Sequence, residues 1–132
     1  MKYLLMMHTP RGARSYEIFD WAPADVEAHM AHLRAINREL TEAGELVDIQ
    51  ALTPPAEARL VRAVTGGAPV TDGPFPETKE FLAGFWVVDV ATPERAYAIA
   101  ERASAAPGPG GAPLNMAIEV RRVMGGGPEP AA

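Results

Sequence analysis

The chain has 132 residues, 48% of them hydrophobic and 22% charged, which suits one domain able to bury about two thirds of its unfolded surface. A net charge of −5 argues against non-specific binding to nucleic acid or to anionic membranes. With no cysteine, disulfides, thiolate metal sites and cysteine nucleophiles are excluded.

Lys2–His8 is a short apolar run bounded by Thr9–Pro10 and predicts a first strand. The run is too short for a signal-peptide core or a membrane span, so the protein is expected in the cytoplasm. Residues 9–22 form a long connection carrying Tyr16, Phe19 and Trp21, more aromatic surface than a turn requires. Pro23 suits the first turn of a helix, and Asp25 and Glu27 favour its positive end. Val26, Met30, Leu33, Ile36 and Leu40 then recur at helical spacing until Gly44 supplies the stop. Leu46–Leu52 reads as a second strand closed by Pro54–Pro55. Arg59–Thr65 and Ala68–Thr71 flank a Gly-Gly pair and predict an extra hairpin with a two-residue turn.

"DGPF", Asp72–Phe75, is a turn of strong turn formers, and "FLAGFWVVDV" after it is the clearest strand of the chain. Thr92–Pro93–Glu94 begins a second helix, with Thr92 as cap and Ala96, Ile99, Ala100 and Ala103 as a small-residue packing face. "APGPGGAP" ends it and is expected to be irregular. Asn115–Met124 alternates as a last strand, and residues 125–132 form a tail expected to fray after a single domain at 1–124. Strand, helix, strand, extra hairpin, strand, helix, strand is the βαββαβ order of an α+β, ferredoxin-like antiparallel sheet with two helices on one face.

An antiparallel sheet covered on one side only should alternate apolar and polar residues. The first strand instead sets Leu4 and Met6 against Tyr3, Leu5 and Met7, and the third sets Leu82, Trp86, Val88 and Val90 against Phe85 and Val87. Both faces of the two central strands are apolar. An uncovered second face would exceed the patch size monomers usually tolerate, so a homodimer joined through the sheet faces is expected.

"VTDGPFPETKEFLAGFWVVDV", together with "ELTEAGELVDIQAL" and "IEVRRV", resembles the YCII-related family in its DGPF-domain branch. The resemblance implies a ferredoxin-like dimeric α/β barrel, in agreement with the periodicity. It also implies a histidine–aspartate pair in a cleft for some relatives, and association with sigma factors for other domains of this type. Proteins of this family tend to carry a histidine before a leucine in the first helix. That favours His32 or His29 as a catalytic group, with Asp72, or failing it Asp48, as partner.

Three histidines are the only side chains that titrate near neutrality without perturbation. On a helical projection from Val26, His29 falls at about 300°, inside the apolar stripe, and His32 at about 240°, on its border beside Asp25. A histidine on an inward face is more often a hydrogen-bonded core residue than a catalyst. His8 ends the first strand, where a polar residue reaches either a cleft or solvent. Glu77, Lys79 and Glu80 form a charged cluster at a strand entrance, either a solvated turn or the rim of a pocket. Arg121 and Glu119 alternate with the apolar face of the last strand and can pair, and an arginine there can also hold a carboxylate in bidentate fashion. His8, Trp21, Lys79, Glu80 and Arg121 are thus the candidate binding residues.

His29 and His32 stand at i and i+3, but without a third matched ligand a metal site is not expected. No phosphate loop, nucleophile elbow or basic aromatic stripe occurs, so neither a cofactor nor nucleic acid is expected. Two functions fit. One is a small cofactor-free enzyme transferring protons on a small molecule in isomerase or lyase fashion. The other is a non-catalytic small-molecule-binding or regulatory module, acting with sigma-factor transcription machinery.

Overall fold

The computed structural model describes residues 1–10, 18–63, 65–67, 70–72 and 80–125. Strand β1, Lys2–Pro10, leads through a short 3-10 turn at Ile18–Asp20 to helix α1, Pro23–Glu42. Strands β2 (Leu46–Ala51), β3 (Arg59–Val61), β4 (Val70–Asp72) and β5 (Glu80–Asp89) follow, then helix α2 (Pro93–Ser104) and strand β6 (Ile118–Arg122). The main sheet runs β2-β5-β1-β6 and every neighbouring pair is antiparallel. This is the expected α+β, ferredoxin-like arrangement, with the first and third main strands at the centre.

The helix boundaries follow local chemistry. Pro23 occupies the first turn of α1, where its missing N–H costs nothing, and Gly44 takes the left-handed conformation (φ +71°) just past the end. At the start of α2, Thr92 Oγ1 accepts from the Arg95 N–H at 3.2 Å. Arg95 then donates to both carboxylate oxygens of Glu45, at 3.0 and 2.8 Å, and ties that helix start to the α1–β2 corner.

The core lies between the helices and one face of the sheet. Tyr3 and Leu5 of β1, with Trp86 and Val88 of β5, pack beneath Ile36 and Leu40 of α1 and Ala96, Ile99 and Ala103 of α2. Each of the largest fully buried side chains, such as Leu5, Ile36 and Leu40, contributes about 1.5–3 kcal/mol on burial. The indole N–H of Trp86, carried into this core, donates to Asn37 Oδ1 at 3.0 Å. Gly84 permits the close approach of β2, since a Cβ there would stand 2.8 Å from the Gln50 carbonyl oxygen.

Three local expectations are corrected. The hairpin ladder spans only Arg59↔Asp72 to Val61↔Val70, so the Gly-Gly pair does not close a two-residue turn. The last strand begins at Ile118 and not at Asn115, because Asn115 adopts φ +54° and breaks the extended backbone. Finally, a register shift between Met7 and His8 pairs His8 with Leu82. By pairing, Leu82 leaves the helix-covered face on which simple alternation had set it with Trp86.

On the open face, Leu4 lies opposite Val87 and Met6 opposite Phe85. All four are partly exposed. They are bordered by Asp48 and Gln50 on β2 and by Glu119 and Arg121 on β6. The apolar character of both sheet faces is therefore a property of the folded chain.

Candidate functional site

His29 and His32 project from α1 one turn apart, toward the end of α2 and the segment after it. The carbonyl of Pro107 accepts from His29 Nδ1 at 3.1 Å, and that of Arg102 accepts from His32 Nε2 at 2.7 Å. A carbonyl can only accept, so each facing nitrogen carries the hydrogen. The Pro107 carbonyl is presented by a tight loop. Pro107 bridges Pro113, the Gly108 N–H donates to the Ala112 carbonyl at 2.7 Å, and Gly110 and Gly111 have φ of +71° and +83°. The irregular "APGPGGAP" segment is thus a shaped support for α1.

His29 is only 6% exposed. Burial, with a smaller contribution from His32, holds its pKa below the ordinary 6.5, against the opposing effect of the Pro107 hydrogen bond. The imidazole is therefore neutral at neutral pH, with its lone pair on Nε2, and Nε2 forms no hydrogen bond among the described residues. Trp21 meets the ring in a T-shaped contact, with centroids 5.3 Å apart and planes at 86°. The Trp21 indole nitrogen is itself buried without a hydrogen-bond partner among the described residues. An uncommitted acceptor and a buried, uncommitted donor therefore belong to rings in contact.

The other candidates fall elsewhere. Asp72 ends β4 in the separate two-stranded ribbon, and its side chain lies outside the described residues, as do Glu77 and Lys79. Asp48, on β2, accepts from the Ile49 N–H and from Gln50 Nε2 and faces neither α1 histidine, since its partner Val87 is on the open face. Glu80 begins β5 at the edge of an open cleft of about 420 Å³, walled by Leu52, Pro54 and Pro55 on one side and by Phe81 and Leu82 beside Glu80 on the other. His8 lies across from Leu82, and its Nε2 is 3.1 Å from Glu119 Oε1. Arg121 Nε stands 3.7 Å from Glu119 Oε2.

The structure thus joins Trp21 with His29, and His8 with Glu119 and Arg121, as two groups on opposite sides of the sheet. The supporting Pro107 carbonyl was not foreseeable, because a backbone acceptor in a Pro-Gly segment carries no sequence mark. The His8–Glu119 contact follows from strand order, which places β6 beside β1. Among the described residues, no group of three histidine or acidic side chains could hold a metal ion, and no helix is long and apolar enough to cross a membrane.

Residues 1–111 match the YCII-related domain. The chain belongs to that family. It is also 40% identical over 76 residues to an uncharacterised protein of Rhizobium meliloti (strain 1021), covering 58% of this chain and 61% of that protein. The family match ends before β6, so the strand carrying Glu119 and Arg121 lies beyond it.

Proposed function

We propose that the protein is a cytoplasmic homodimer of the DGPF branch that binds a small molecule beside α1 and transfers a proton on it, in isomerase or lyase fashion, without a cofactor. The observation that carries the catalytic part is the neutral, buried His29, with its Nδ1–H fixed by Pro107, its Nε2 uncommitted among the described residues, and its ring in contact with the unpartnered indole of Trp21. A fixed Nδ1–H orients the imidazole as an aspartate would, leaving Nε2 to accept a proton from the substrate. The Trp21 N–H supplies a donor for a substrate oxygen. Burial keeps the base neutral at the pH at which it must act. His32, through its hydrogen bond to the Arg102 carbonyl, ties α1 to α2. The dimer is supported by the apolar row Leu4, Met6, Phe85 and Val87, which a second copy would cover.

A metabolite panel screened by thermal shift, followed by product analysis of each hit, tests this reading. His29→Gln puts a neutral amide, with an N–H donor of its own, in place of the imidazole and removes the base. It is expected to abolish conversion of a hit while the protein stays folded. Conversion that survives in His29→Gln refutes the assignment. Stabilising hits with no product from the wild-type protein favour the non-catalytic binding module.

A further inference from the structure

We propose that the outer edge of β6 pairs with β6 of a second copy, antiparallel and centred on Val120, and joins two main sheets edge to edge. This contact is separate from the one across the open face, and it needs neither His29 nor Trp21.

The ladder sets which groups the edge presents. In the main sheet β6 has β1 on one side, and no strand lies beyond it among the described residues. The Val123 N–H donates to the Lys2 carbonyl at 2.9 Å, so antiparallel alternation turns the backbone groups of Glu119 and Arg121 toward β1. Those of Ile118, Val120 and Arg122 point outward, a row of donors and acceptors along an open edge. The opposite edge, β2, is broken by a register shift between Leu46 and Asp48, whereas β6 meets β1 without one.

The charges select a second copy as the occupant. Pairing two β6 strands about Val120 sets Glu119 of each chain opposite Arg121 of the other, at non-hydrogen-bonded positions where side chains come closest. The next registers that keep the backbone groups facing set Glu119 against Glu119 or Arg121 against Arg121, which like charges disfavour. Both side chains are exposed, and within the chain they match only loosely, with Arg121 Nε 3.7 Å from Glu119 Oε2. On the other side of the strand, Ile118 and Val120 line an open groove of about 380 Å³ beside Tyr97 and Ala100 of α2. The same pairing brings Val120 beside Val120 at the rim of this groove, so apolar surface is covered together with the backbone. A pair of five-residue strands buries well under the ~1,200 Å² of a stable complex. The contact therefore forms at high protein concentration and leaves assembly at micromolar dilution to the open face.

Backbone amide hydrogen exchange of the full-length protein, followed by NMR from dilute to concentrated solution, tests the pairing. Exchange at Ile118, Val120 and Arg122 should slow as concentration rises, while the Val123 amide, bonded within the chain, stays protected throughout. Glu119→Arg and Arg121→Glu, both at exposed positions, each place like charges across the edge and should weaken the association about tenfold or more. An equal mixture of the two variants restores opposite charges and should recover the wild-type protection. Exchange that ignores concentration, or a mixture no better than either variant alone, would overturn the edge pairing. Contact through the open face bonds none of these amides, and the effect should persist in Phe85→Glu, so failure of one contact is told apart from failure of the other.

Discussion

On the helix-covered face, Leu5, Trp86 and Val88 are buried beneath Ile36, Leu40 and Ile99. One residue along the same strands, Leu4, Phe85 and Val87 turn the other way and stay partly exposed. The side chains are of similar kind, yet only the first set has a partner within the chain. Apolar periodicity therefore marks both faces of the central strands, although only one of them is covered within the chain. The polar groups divide in the same manner. Toward the helices, Trp86 and His29 make single, directed hydrogen bonds to Asn37 and Pro107. On the open face, Glu119 divides itself between His8 and Arg121, a looser arrangement than the directed bonds beneath the helices.

The sharpest way to break this comparison is a pair of neighbouring truncations. Leu5→Ala empties a fully buried position and should lower unfolding free energy by about 2–5 kcal/mol. Leu4→Ala, one residue away, should cost the isolated chain only about 1 kcal/mol. Denaturant unfolding of both variants measures the difference, and equal losses would mean that the open face is already covered within one chain. Next in size is Asn37→Leu, which leaves the Trp86 indole N–H buried without an acceptor and should cost about 1–3 kcal/mol by the same method.

A smaller effect follows from pH. His29 has a folded-state pKa below its ordinary 6.5, so near that pH the unfolded chain binds more protons than the folded one. Its contribution to stability is present above about 6.5 and is lost as pH falls from there through the folded pKa. Melting temperatures recorded from neutral to mildly acid pH should drop more steeply for wild type than for His29→Gln. Parallel curves would show that His29 is not buried as a neutral ring.

Much of the fold was readable because its signals are local. Thr92 before Pro93 is a cap wherever a helix follows, and the alternation in Lys2–His8 and Phe81–Val90 needs only the pleat of a strand. The register shift at Met7–His8 was not readable, since it depends on how β5 meets β1, and it moved Leu82 to the other face. Nor was the short β3–β4 ladder, where a Gly-Gly pair suggested a tighter turn than the chain adopts. The site was legible in part. Helical spacing put His29 inward and the loop aromatics suggested a cover, and Trp21 indeed meets that histidine. Which carbonyl would hold the ring, and which acid would meet His8, depended on contacts 78 and 111 residues apart in sequence.

Sedimentation velocity at micromolar concentration, on wild type and on Phe85→Glu, puts the open face to the most direct trial. A second copy covering that face predicts a dimer for wild type, and a folded monomer once a charge stands among Leu4, Met6 and Val87. A wild-type protein that sediments as a single chain and binds no hydrophobic dye would contradict it.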